Sequence, residues 1–125
     1  MDQTRSDRIR QYFQALTDGD TETILSLFAP DGEVHSPFLG VMRADAFFAK
    51  LSDASAGSHL TVLDVLHGEE TGAARFQYDW TLKDGNVIDF EGVDHFTFAA
   101  DGRFSAMRIY YDTHPLREAV GDKYA

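Results

Sequence analysis

Apolar residues in the first part of the chain recur with the spacing of amphipathic helices, three and four residues apart. This pattern predicts three helices. The first begins near Thr4 and stops at the DGD segment 18–20, the second ends at the APDG segment 29–32, and the third covers roughly 43–51. Between the last two helices, residues 33–36 are predicted to form a short strand.

From residue 59 onward the apolar pattern changes to the period of two that is typical of strands. Glycine-containing turn segments, GEETG, KDG and AADG, divide this part of the chain. Four strands are therefore predicted, over 60–67, 74–82, 87–98 and 104–112. Helices followed by an antiparallel sheet make an α+β layout, so we expect one domain, 1–125, in which the sheet curls around the helices and leaves a one-ended pocket.

The KDGN turn joins the predicted strands 74–82 and 87–98 and decides which of their faces points inward. A two-residue turn, Asp84-Gly85, would place Asp79 on the same face as Asp94. A three-residue turn ending in Gly85 would exchange the faces, because side chains alternate along a strand. The residues then beside Asp94 would be apolar: Phe76, Tyr78, Trp80 and Leu82. We predict the longer turn, since it gathers the aromatic rings on the inner face.

An acidic residue, Asp94, interrupts the phenylalanine face of the segment FEGVDHFTF at 90–98. Burying an ionised carboxylate without a partner is very unfavourable, so this group must find a partner, keep its proton, or face a cavity. The structural alternatives are an ion pair with Arg75 on the neighbouring strand or a hydrogen bond to Tyr12. In a cavity, a protonated Asp94 could instead donate a hydrogen bond to a ligand.

Composition narrows the choice of partners. The 125 residues carry a formal charge of −10 and include no cysteine. This acidic balance argues against nucleic acid or an anionic membrane as partner, and the missing cysteine excludes disulfides and thiolate chemistry. The histidines lack metal-binding spacing, so we expect no metal and no cofactor. The N-terminus has no apolar leader and no run is long enough to span a membrane, so a cytoplasmic protein is expected.

Two segments together resemble a known superfamily. QYFQALTDGDTETILSLFAPDGEVHSPFLG and GVDHFTFAADGRFSAMRIYYD are similar to the nuclear transport factor 2-like superfamily, in its ketosteroid isomerase and polyketide cyclase (SnoaL-like) branch. The resemblance implies a cone-shaped α+β barrel with a deep pocket, and a homodimer formed through the outer face of the sheet. It also implies a cofactor-independent isomerase, cyclase or dehydratase that acts on a small apolar, cyclic carbonyl compound.

The resemblance also assigns roles to individual residues. Tyr12 lies eight residues before Asp20 of a GD step, which is the position of the oxyanion-hole tyrosine in the isomerases. Asp94 matches the protonated aspartate of that family. The base of the isomerases is an aspartate in a V-x-D-P segment, where this chain has VHSP and therefore Ser36.

A serine hydroxyl is too weakly basic to remove a carbon-bound proton unaided. Three alternatives for the proton acceptor remain open: His35, Asp79, or a water molecule held by Ser36. Two further hypotheses remain beside catalysis, namely a ligand-binding module without turnover and a dimerisation module. The apolar wall of the predicted pocket would be formed by Phe38, Tyr78, Trp80, Phe96, Met107, Ile109 and Tyr111.

Overall fold

The computed structural model describes residues 2–114 and 117–118, so the chain end that follows the last strand lies largely outside the described residues. Three helices are present: α1 (Asp2–Asp18), α2 (Thr21–Ser26) and α3 (Ala44–Ala54). Six strands complete the fold: β1 (Phe28–Ser36), β2 (Gly40–Arg43), β3 (Ser55–His67), β4 (Thr71–Leu82), β5 (Val87–Phe98) and β6 (Phe104–Tyr111). The predicted α+β class, with helices at the N-terminal side of a curved sheet, is confirmed. In the described part of the chain the sheet does not close.

The six strands lie in the order β2-β1-β6-β5-β4-β3. We predicted an antiparallel sheet, and this is wrong for one pair, because β1 and β6 run parallel. The chain leaves β1, passes through α3 and the β3–β5 hairpins, and returns beside β1 in the same direction, which requires such a long crossover. The sequence pattern also missed β2, a four-residue strand that pairs with the end of β1.

Several element boundaries differ from the prediction. Phe28, which fits the helical spacing of the second helix, instead begins β1 and pairs with Phe104. Both rings are buried, so the tertiary contact overrides the local pattern. The second helix starts where expected, since Asp20 caps it by accepting a hydrogen bond from the Thr23 backbone N–H at 3.1 Å. The third helix extends three residues beyond the predicted end and β3 follows at once.

The turn between β4 and β5 has the predicted longer form. Leu82 N–H donates to the carbonyl oxygen of Asn86 at 2.8 Å, which encloses three residues that end in Gly85. Gly85 has φ +91°, a conformation that side chains with a Cβ avoid. Tyr78 consequently lies opposite Phe90, and the even-numbered residues of β4 and β5 share the inner face.

The core fills the space between the helices and the concave face of the sheet. Tyr12 on α1 lies at its centre, with edge-on ring contacts to five phenylalanines: Phe13, Phe28, Phe48, Phe96 and Phe104. Such edge-to-face pairs add to the stabilisation from apolar burial. They also fix the position of the Tyr12 ring and therefore of its hydroxyl group. Within the described residues, no helix is both long enough and apolar enough to cross a membrane.

Candidate functional site

A cavity of about 300 Å³ lies between α1, α3 and the inner face of the sheet. This volume is at the lower end of the range of small-molecule pockets. Its lining is dominated by aromatic and aliphatic side chains from α1, α3 and the central strands. Two polar groups that the sequence singled out, Tyr12 and Asp94, share the cavity, and each is at most 3% exposed. They therefore form its inner end.

Small neighbours make room for Asp94 on the sheet. In register, Asp94 lies between Ala74 on β4 and Ile109 on β6. Gly92 precedes Asp94 by two residues on the same strand face. The space beside it admits no side chain, because a Cβ there would lie 3.0 Å from the Phe76 ring. Ala74 and Gly92 therefore place little or no side chain beside Asp94, which is buried and lines the inner end of the cavity.

Burial controls the protonation of this inner end. Desolvation raises the pKa of the Asp94 carboxyl group well above its ordinary value. Its Oδ1 atom has no hydrogen-bond partner within residues 2–114 and 117–118. Burial also raises the pKa of Tyr12 well above 10.0, and the nearby Asp94 raises it further. Both shifts favour the protonated forms, in which the two groups can donate hydrogen bonds to a ligand.

The ion pair considered for Asp94 is not formed. Arg75 lies on the outer face of the sheet, where its Nη1 atom is 2.5 Å from Glu91 Oε1. Neighbouring residues on a strand point to opposite faces, and Arg75 follows the inner-facing Ala74. Asp94 therefore has no cationic partner on the neighbouring strand, and the structural alternative based on Arg75 is wrong.

The three candidates for a proton acceptor lie on different faces. Ser36 lines the cavity at the end of β1, and its Oγ accepts hydrogen bonds from the backbone N–H groups of Phe38 and Leu39, both at 3.2 Å. His35 points to the outer face, with Nε2 3.4 Å from Glu33 Oε1. Asp79 is also on the outer face, because the longer β4–β5 turn places it opposite Asp89. Only Ser36 of these three shares the cavity with Asp94 in the described chain.

The sequence profile of the SnoaL-like domain family matches residues 9–107. The chain belongs to the SnoaL-like domain family. A steroid Delta-isomerase of Nocardioides simplex is 27% identical to this SnoaL-like domain over 105 residues, which cover 82% of the chain and 85% of the relative.

Solved structures with low sequence identity share the fold of this SnoaL-like domain. A nuclear transport factor 2-like protein of unknown function from Burkholderia pseudomallei has a TM-score of 0.82 at 19% identity, with 94% of this chain and 98% of that chain covered. TerC, crystallised with polyporic acid, has a TM-score of 0.80 at 21% identity, with the same coverage. At these identities the likeness establishes the architecture alone.

The wall of the cavity in this SnoaL-like domain contains five of the seven predicted residues: Phe38, Tyr78, Trp80, Ile109 and Tyr111. Phe96 and Met107 face inward as predicted, but both are fully buried in the core and do not line the cavity. Sequence reasoning missed Phe90, whose ring stacks on Tyr111 at 4.3 Å between centroids. The sequence contains the information needed to predict Phe90 in the wall, because Phe90 precedes Asp94 by four residues and therefore lies on the same strand face.

The open end of the cavity is marked by the exposed members of its lining. Leu39, Lys50 and Ala54 are all exposed, whereas Tyr12 and Asp94 at the other end are buried. Lys50 and Ala54 lie on α3, four residues apart and therefore on one helix face. Lys50 was not predicted to line the cavity, although its spacing of three residues from Phe47 places both side chains on the cavity side of α3.

The described residues contain no group of three or more histidine, cysteine, aspartate or glutamate side chains arranged to hold a metal ion. Of the residues singled out from the sequence as catalytic candidates, Tyr12, Ser36 and Asp94 line the cavity, and each carries a group that can form hydrogen bonds.

Proposed function

We propose that this SnoaL-like domain is a cofactor-independent enzyme that acts on an apolar cyclic carbonyl compound by isomerisation, cyclisation or dehydration. The observation that carries the proposal is the buried Asp94, which has an unpartnered carboxyl oxygen among the described residues and lines the same apolar cavity as Tyr12. Retaining an acid without a partner in an apolar core is destabilising unless a ligand uses it. The family and the 27%-identical steroid Delta-isomerase support this proposal.

The two donors would bind one carbonyl oxygen of the substrate. When a hydrogen leaves the adjacent carbon as a proton, its bonding electrons move onto that oxygen, and the resulting enolate accepts hydrogen bonds from Tyr12 and Asp94. Donors that are already oriented in a cavity with few other polar groups stabilise such charge more strongly than water does. Losing one donor of this kind typically costs about 3 kcal/mol of barrier.

The proton acceptor in this proposal is a water molecule oriented by Ser36. The Ser36 oxygen accepts two backbone hydrogen bonds, so its hydroxyl hydrogen is directed elsewhere and can hold a water or a second substrate oxygen. Water is a weak base, so the site is suited to carbon acids that are already activated. Cyclic β-dicarbonyl compounds, whose reacting carbon lies between two carbonyl groups, have this property.

A ligand-binding module without turnover is the second candidate. It is favoured by the serine at the position where the isomerases have their base, and by the placement of His35 and Asp79 on the outer face. Such a module would use Tyr12 and Asp94 to hold a ligand oxygen and would not remove a proton.

Binding of β-naphthol tests the donor pair, because its planar ring carries an oxygen that resembles an enolate oxygen. We expect Tyr12→Phe and Asp94→Ala, which each remove one donor, to weaken binding roughly tenfold, which corresponds to one hydrogen bond. Tyr78→Phe is the matched control, since the Tyr78 hydroxyl is hydrogen-bonded to Ser58 at 2.8 Å. Fluorescence titration measures the three affinities. Equal affinities in all variants would contradict the donor role.

Exchange of the α-hydrogens of cyclic ketones and cyclic β-dicarbonyl compounds for deuterium, followed by NMR, separates the two candidates. An enzyme accelerates the exchange above the buffer rate, and Asp94→Ala abolishes most of that acceleration. A protein that binds β-naphthol through Tyr12 and Asp94 but leaves every exchange rate at the buffer value is a binding module.

We further propose that two copies of the domain associate through the outer face of the sheet. Val93 and Tyr110 lie opposite each other there, on β5 and β6, and are 37% and 57% exposed. Exposed apolar groups on a sheet face favour association. Analytical ultracentrifugation should show a dimer that Tyr110→Glu converts to a monomer. Leu39→Glu, which adds the same charge at the cavity mouth, should leave the dimer intact.

A further inference from the structure

The buried end and the exposed end of the cavity differ in charge, and this difference indicates what kind of ligand the cavity binds. Among the charged residues of the described chain, two line it: Asp94 at the buried end and Lys50 at the exposed end. Burial raises the pKa of Asp94 and thereby favours its neutral form, which leaves the ammonium group of Lys50 as the full charge among the lining residues. This cation stands at the mouth of an apolar cavity in a protein whose net charge is −10.

Lys50 makes none of the ion pairs found among the described residues. Asp53 follows it by three residues on α3, a spacing that allows a side-chain pair, yet none is formed. The neighbouring cavity residues on the helix, Phe47, Leu51 and Ala54, are apolar and cannot accept a hydrogen bond from the ammonium group through their side chains. The charge is therefore available to a bound molecule.

We propose that Lys50 determines specificity by binding an acidic group of the substrate, at the end remote from the reacting carbonyl. This inference rests on the proposed function, because that function places the carbonyl oxygen at Tyr12 and Asp94. The substrate class is then an apolar cyclic carbonyl compound that carries a carboxylate or a comparably acidic hydroxyl group. Its rings occupy the aromatic wall, and its anionic group lies at the exposed mouth, where little desolvation is required.

Charge and orientation act together in this arrangement. A ligand with a single oxygen function could enter the cavity in either direction. A ligand with an acid at one end is oriented, because the mouth offers a cation while the rest of the protein surface repels anions on average. Orientation brings the carbonyl oxygen to the two donors, which is the condition for an effective proton transfer.

A hydroxynaphthoic acid with its two functional groups at opposite ends of the rings tests this role, with its methyl ester as the neutral probe of similar shape. At low ionic strength we expect the wild type to bind the acid about fivefold more tightly than the ester, the magnitude of a partly exposed ion pair. Lys50→Met keeps the apolar stem and should bind the ester better than the acid. Lys50→Arg should retain the preference for the acid, and added salt should reduce it.

Lys83→Met is the matched control, because Lys83 is exposed in the β4–β5 turn and does not line the cavity. It removes the same charge and should preserve the preference for the acid. The proposed role of Lys50 is overturned if the wild type and Lys50→Met have the same ratio of acid affinity to ester affinity. It is also overturned if Lys83→Met loses the preference for the acid as fully as Lys50→Met does. Binding of the ester, with its sensitivity to Tyr12→Phe, reports separately on the proposed function, so a failure of either proposal is recognised independently.

Discussion

The Asp94→Asn variant is expected to become progressively more stable than the wild type as the pH rises from about 4, the ordinary pKa of an aspartate in an unfolded chain. Burial raises the pKa of Asp94 in the folded state. Above pH about 4 the unfolded chain has lost this proton while the folded protein still holds it. The folded state then binds more protons, so the free energy of unfolding falls with rising pH.

The expected slope of this difference is about 1.4 kcal/mol per pH unit, and it persists until the pH reaches the pKa of the folded state. The stabilising contribution of the neutral Asp94 is therefore complete below the unfolded pKa and disappears through the folded pKa. Asparagine has nearly the same shape and no charge, so its variant lacks this pH dependence. Urea unfolding at a series of pH values, at fixed protein concentration, measures both curves.

Asp89→Asn provides the control for the loss of one negative charge. Asp89 is exposed on the outer face of the sheet, and its removal should shift the unfolding free energy by no more than about 0.5 kcal/mol at each pH. Parallel curves for the wild type and Asp94→Asn would show that Asp94 is ionised in the folded protein. The donor role proposed for it would then be wrong.

The inner face of the sheet could be predicted from the sequence because alternation and turn chemistry agree there. Gly85 permits the positive φ of the longer turn, and that turn places Tyr78 and Asp94 on one face. Each signal alone is weak, and a slip of one residue would have brought Asp79 into the cavity. The prediction from the sequence that Asp94 lies unpaired in a cavity therefore depended on the register between β4 and β5.

Other features depend on contacts between distant segments, and local patterns do not contain them. The parallel pairing of β1 with β6 joins Val34 to Met107 across more than half of the chain. Phe96 and Met107 share a face with Asp94, yet they are packed against the core while the cavity borders Asp94. Alternation identifies the inward face of a strand, but the depth of each side chain is set by the neighbouring helices.

Lys50 illustrates a different limit. The apolar spacing of the third helix predicts buried positions for Phe47 and Phe48 and an ordinary exposed position for Lys50. Only the three-dimensional arrangement shows that its side chain borders the same cavity as Asp94. Specificity groups at the mouth of a cavity are exposed by necessity, so burial patterns in a sequence do not distinguish them from solvated surface charges.

Replacing Ser36 with aspartate is expected to increase α-hydrogen exchange of a cyclic ketone by a factor of about one hundred or more, the usual contribution of a positioned general base. The resemblance to the isomerases aligns Ser36 with their base, and Ser36 lines the same cavity as Tyr12 and Asp94. The N–H groups of Phe38 and Leu39, which now donate to Ser36 Oγ, could donate to the new carboxylate. Such hydrogen bonds favour the ionised form of an acid even in apolar surroundings.

The matched control is Ser36→Asn, which has the size of aspartate but no basic oxygen, and its exchange rate should stay at the wild-type value. Equal rates in the two variants would show that position 36 does not reach the reacting carbon. Adding Tyr12→Phe to Ser36→Asp should remove roughly tenfold or more of the gain, because the enolate formed by the new base then loses one hydrogen-bond donor. The exchange rate of Ser36→Asp should also rise with pH as the carboxylate ionises, whereas the asparagine variant has no group at position 36 that could produce such a rise.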